Sequence, residues 1–157
     1  MMHFRPRLSL LALSVLTCAH AATAQQIDGT NAERILTLLQ TVDPALEIGT
    51  DNVGDPLITG TLDGASYSIF FYGCSGGRYC TQIQYQAGMD IESGLSLEKA
   101  NAWNRDMRYA STFLDDEMDP FLQMDVLLDH GVSEATLLET YTTWRASLEE
   151  FLGFIDW

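Results

Sequence analysis

Three groups of residues have types and spacings from which chemistry can be built: the pair Cys74 and Cys80, the acidic run Asp115, Glu117 and Asp119, and Asp129-His130 with Ser133. The cysteines flank Ser75-Gly76-Gly77-Arg78-Tyr79, a C-x5-C spacing. A thiol redox centre favours C-x-x-C at a helix start, where the thiol pKa falls. No helix start follows here, so the pair reads as a structural disulfide clamping a hairpin, with redox chemistry as the alternative. The three acids occupy the first, third and fifth positions of a calcium-loop template, but Pro120 stands sixth, where an EF-hand needs glycine. A hairpin tip in solvent fits that run better, and weak cation contact is the alternative. Asp129, His130 and Ser133 can be drawn as a hydrolase triad, yet residues so close in a strand-to-helix turn seldom converge, and Ser133 occupies a helix N-cap position.

The remaining candidates are weaker. Once an N-terminal leader is removed, His130 is the single histidine, which leaves no multi-histidine metal site in one copy and one imidazole base. Carboxylates are so numerous that any acid and base pair chosen from them is arbitrary. Gly76-Gly77 is too short for a phosphate-binding loop. Trp103 and Trp144 fall on apolar helix faces and read as packing residues, whereas Trp157 has no assigned role. The residues specify no catalytic group, no cofactor and no committed metal site.

The N-terminal segment reads as a secretory signal peptide over residues 1–24. Arg5 and Arg7 precede an apolar run from Leu8 to Leu16, too short for a membrane span, and Ala22 and Ala24 fit the cleavage rule ahead of Gln25. Cys18 lies before the cut, so the domain expected over residues 25–157 retains two cysteines in a compartment that permits disulfides, periplasmic or secreted. It carries six basic and 22 acidic residues, a formal charge of −16. Such a field repels phosphate backbones and anionic lipid surfaces, so neither nucleic acid nor a stably inserted membrane segment is expected.

The elements that must position these residues follow from periodicity. Thr30-Asn31-Ala32-Glu33 has the capping-box form, and Ala32, Ile35, Leu36, Leu39 and Val42 recur at helical spacing, predicting a helix over Asn31 to Thr41 that Pro44 ends. Turn residues at Asp51-Asn52, Gly54-Asp55-Pro56 and Asp63-Gly64 separate strands near 45–49, 57–62 and 66–72. In the next strand, 80–87, Ile83, Tyr85 and Ala87 alternate with Gln82, Gln84 and Gln86, giving one core face and one wet face. Ser96 caps a second helix whose inner face is Leu97, Ala100, Trp103 and Met107; Asn101, Asn104 and Arg105 face outward or cap neighbouring backbone. Strands at 108–114 and 121–128 follow, joined by the acidic turn. In the latter, Leu122, Met124, Val126 and Leu128 share one face, while Phe121, Gln123, Asp125 and Leu127 share the other, a mixed surface suited to a partner. Ser133 caps a last helix with Leu137, Tyr141, Trp144, Leu148, Phe151 and Ile155 in one stripe, which packs on the sheet or, alternatively, on a second copy.

Asn101-Ala102-Trp103-Asn104, then a strand leading to Asp119-Pro120, Gln123-Met124-Asp125-Val126, Asp129-His130-Gly131-Val132-Ser133 and an aromatic-bearing final helix resemble the YbjN family, named for bacterial sensory transduction regulators. The resemblance spans roughly Thr30 to Phe154. It implies an α+β fold like that of type III secretion chaperones, with helices packed on a curved antiparallel sheet of about six strands; the order read from periodicity, αββββαββα, is compatible. It implies no catalytic residues, cofactor or substrate. The chain departs from the family at His130, where a second glycine beside Gly131 is expected. The expectation is a non-enzymatic exported module that binds a peptide or protein through Phe121, Gln123, Asp125 and Leu127, and possible alternatives are an envelope enzyme or cation-binding protein using the acidic turn and His130, or a homo-oligomer.

Overall fold

A computed structural model describes residues 26–157; the leader and Cys18 lie outside the described residues. The described residues fold in two layers, a six-stranded antiparallel sheet with three helices on one of its faces. The elements are β1 (Gln26–Ile27), α1 (Ala32–Leu39), β2 (Glu47–Thr50), β3 (Pro56–Leu62), β4 (Ala65–Tyr72), β5 (Gln82–Gly88), α2 (Leu97–Asp106), β6 (Ser111–Leu114), β7 (Pro120–Leu127), β8 (Val132–Ser133) and α3 (Glu134–Ile155). The sheet runs β2-β3-β4-β5-β7-β6. The expected order holds, with one addition: β1 and β8 form a separate two-stranded antiparallel pair. Two-residue strands carry no periodicity, so sequence alone does not reveal them.

Alternation builds the core. Ile58 on β3, Tyr67, Ile69 and Phe71 on β4, Ile83, Tyr85 and Ala87 on β5, and Leu122 and Met124 on β7 are all buried on the face that receives the helices. The whole stripe of α3, from Leu137 through Tyr141, Trp144, Leu148 and Phe151 to Ile155, is buried as well. Trp144 stacks on Tyr85 with ring centres 5.6 Å apart and meets Tyr67 edge-on at 6.0 Å. Trp103 of α2 meets Phe151 edge-on at 4.7 Å, which seats α2 beside the C-terminal half of α3. Large aromatic rings bury much apolar area at small entropic cost, so these contacts fix where the helices sit.

Several local expectations are corrected. α1 stops at Leu39, and Val42 is 56% exposed, because the chain turns through Gln40 to Asp43 before Pro44. Its N-cap is Asn31, whose side chain accepts from the Glu33 amide, while the Thr30 amide is held by Asp28 instead of opening a capping box. Leu97 is 72% exposed, since the first residue of α2 lies on the side away from the sheet. β6 begins at Ser111 and not at 108, and both Arg108 and Tyr109 are exposed ahead of it. His130 needs no glycine geometry, because Gly131 alone takes the left-handed backbone there, with φ of 69°.

Candidate functional site

Among the described residues, no element covers the face of the sheet opposite the helices, and its side chains are ordered by strand register. Phe70, Gln84 and Asp125 form one cross-strand row. Ser68, Gln86, Gln123 and Ser111 form the next, and Gly88, Phe121 and Phe113 a third. On the other side of the first row, Tyr72, Gln82 and Leu127 make a fourth. The four residues singled out on β7 therefore lie on one surface: Phe121 and Gln123 half-buried, Asp125 exposed and Leu127 69% exposed.

The surface has a polar centre between aromatic flanks. Gln84 Nε2 donates to Asp125 Oδ1 at 2.9 Å, while Tyr72 Oη at 3.4 Å and Gln86 Nε2 at 3.4 Å both reach Gln84 Oε1. Partial burial, then the negative charges of Asp125 and Asp51, raise the Tyr72 hydroxyl pKa above its ordinary value. Phe70 stacks on Tyr72 at 6.3 Å, and Phe113 stacks on Phe121 at 5.2 Å with 12° between the rings. Phe121 can lie across the strand because its neighbour is Gly88: a Cβ there would meet the Phe121 ring at 2.6 Å. Phe113, Phe70 and Tyr72 escape a residue-by-residue search because they reach this surface from two other strands; the alternation of β4 shows only that Phe70 and Tyr72 share a face.

The acidic turn is occupied by its own backbone. Asp115 Oδ1 accepts from the amides of Glu117 and Asp119, each at 2.9 Å, and Asp119 Oδ1 accepts from the Ile91 amide at 2.8 Å. Among the described residues, no group of three or more His, Cys, Asp or Glu side chains is placed to hold a metal ion. The triad does not assemble either. Ser133 Oγ accepts from the Thr136 amide at 3.0 Å as the N-cap of α3, and His130 lies exposed in the preceding turn. Cys74 and Cys80 stand at disulfide distance, Sγ to Sγ 2.15 Å. The ring they close bonds to the N-terminal segment, with the Cys80 amide donating to the Gly29 carbonyl at 2.8 Å. A Cβ on Gly29 would collide with the Cys80 carbonyl, so glycine is required for this approach.

The N-A-W-N segment is a positioning device. Trp103 Nε1 donates to the Ala110 carbonyl at 3.0 Å. Asn104 Nδ2 donates to the Thr112 carbonyl at 2.9 Å, and Asn104 Oδ1 accepts from the Thr112 amide at 2.8 Å. Asn104 thereby satisfies the outward backbone groups of β6 as a further strand would, as expected of a residue that caps neighbouring backbone.

A search of curated proteins gives no match. Among solved structures, the chain is similar to the Yersinia pestis type III secretion chaperone SycH, determined in complex with a stable fragment of YscM2, at 14% identity and a TM-score of 0.49, covering 75% of this chain and 99% of that one. Residues 31–157 match the YbjN family, described as "Putative bacterial sensory transduction regulator". The chain belongs to the YbjN family.

Proposed function

We propose that the protein is a non-enzymatic, exported binding module that holds a protein or peptide partner on the open sheet face, with a regulatory or chaperone-like consequence. One observation carries the reading: two stacked aromatic pairs and the exposed Leu127 share a face with a polar row centred on Gln84 and Asp125, while the three described helices lie on the opposite side. Exposed aromatic and aliphatic residues around a few oriented polar groups suit protein recognition. Export is supported by the charged, apolar and small-residue segments that end at Ala24, and by the two cysteines at disulfide distance. YbjN membership supports a regulatory role.

The test is crosslinking in the native envelope followed by mass spectrometry, with the doubly substituted chain Phe121→Lys, Leu127→Lys as control. A reproducible partner that is lost in the control, while the variant keeps its melting temperature, supports the reading. Equal capture by both chains removes this surface from consideration. Mass measurement of the exported protein should give a chain that starts at Gln25.

A further inference from the structure

β6 covers only half of β7. Its pairing reaches from Leu114 opposite Pro120 to Ser111 opposite Gln123 and stops, so among the described residues Met124 to Leu127 have a strand neighbour on the β5 side alone. The hydrogen-bond alternation of an antiparallel ladder then decides which backbone groups are free. The Leu128 amide donates to the Thr81 carbonyl, and the Met89 amide to the Pro120 carbonyl, so even-numbered residues of β7 bond to β5. Phe121 and Gln123 turn their backbone toward β6, and Asp125 and Leu127 turn theirs to the same side, where no strand follows. Among the described residues, no hydrogen bond engages the amides or carbonyls of these two residues on that side. The contrast with β6 is informative, since Asn104 satisfies the outward groups of that edge at Thr112.

The free edge borders a groove of about 310 Å³ between β7 and α3, lined by Arg108, Tyr109, Met124, Thr136, Glu139 and Thr140 among others. An added strand would place alternate side chains beside Asp125 and Leu127 on the open face and the rest in this groove. Its chemistry follows from charge. Asp125 and Glu139 flank the two sides and outnumber the one cation of the lining, Arg108, within a domain of six basic and 22 acidic residues. A second copy is the poorer occupant, because two domains of formal charge −16 would be brought edge to edge.

We propose that the edge from Met124 to Leu127 binds an extended basic and apolar segment of another protein by β-strand addition. This deepens the binding-module reading and rests on it. The mode draws affinity from main-chain hydrogen bonds and specificity from alternate side chains.

The experiment titrates the purified protein with a short, end-blocked peptide of alternating lysine and valine. Amide hydrogen exchange by NMR is the readout. Asp125 and Leu127 amides should slow by about tenfold or more at saturation, as expected when exposed donors enter a ladder. The glutamate–valine counterpart should bind about tenfold more weakly or worse, and Asp125→Lys should weaken the lysine–valine peptide. Two peptides N-methylated at complementary alternate positions leave the protein unaltered; one should lose binding and the other keep it. The inference is overturned if both N-methylated peptides bind equally, if no lysine–valine peptide binds at millimolar concentration, or if shifts appear at Phe70, Tyr72 and Gln84 while the edge amides stay unprotected. Protection that appears without peptide and grows with protein concentration would assign the edge to a second copy and overturn it too. In any of these cases, partner capture that still depends on Phe121 and Leu127 leaves the open-face reading intact.

Discussion

Tyr67 and Tyr141, separated by 74 residues, bring their hydroxyls within 2.5 Å of each other, and Asp43 gathers the pair. Tyr141 Oη donates to Asp43 Oδ2 at 2.7 Å, and Arg145 Nη1 donates to the same oxygen at 2.5 Å. The cluster ties the turn after α1 to β4 and to α3. Tyr141→Phe removes a largely buried donor and should cost about 1–2 kcal/mol in urea unfolding. Asp43→Ala strips the shared acceptor from three donors and should cost more, about 2–3 kcal/mol.

Alkaline pH should destabilise the fold through its tyrosines. Burial raises the Tyr67, Tyr85 and Tyr141 hydroxyls above their ordinary value of 10.0. Above that pH the unfolded chain releases these protons while the folded chain retains them. The unfolded state then binds fewer protons, and stability falls as pH rises. Unfolding free energy should be flat through neutral pH and fall above about pH 10, less steeply in Tyr141→Phe. An equally steep fall in that variant would remove Tyr141 from the effect.

Reduction should loosen the domain without unfolding it. A ring of seven residues closed between Cys74 and Cys80 stabilises by roughly 2 kcal/mol in the chain-entropy model. Dithiothreitol should lower the unfolding free energy in urea by that amount in the natural chain, with a matching fall in midpoint, and leave Cys74→Ser unmoved. Because Cys80 holds Gly29, the reduced protein should also show faster amide exchange near β1. A midpoint indifferent to reductant would mean that the bridge does not constrain the unfolded chain.

Asn104→Ala should uncover the outer edge of β6. The substitution leaves the Thr112 amide and carbonyl without their partners and should cost about 1–2 kcal/mol. The freed edge also becomes a template for pairing, so concentration-dependent light scattering should increase relative to the natural chain. Asn104→Asp keeps the acceptor and loses the donor, and should fall between the two.

Periodicity by itself determined the main elements and their faces. Gln82, Gln84 and Gln86 against Ile83, Tyr85 and Ala87 identify a sheet with one wet side, and the α3 stripe from Leu137 to Ile155 identifies its cover, because burial repeats every two residues in a strand and every three or four in a helix. The shared face of Phe121, Gln123, Asp125 and Leu127 follows from the same rule. Register and termination are different in kind. That Phe113 stacks on Phe121 depends on which strands become neighbours, that Asp43 meets Tyr67, Tyr141 and Arg145 depends on contacts between remote segments, and that β6 begins only at Ser111 depends on how Asn104 and Trp103 dock α2 against it. Local sequence encodes which side of an element is apolar; the partners across the sheet, and the edge left without one, are decided only when the whole chain packs.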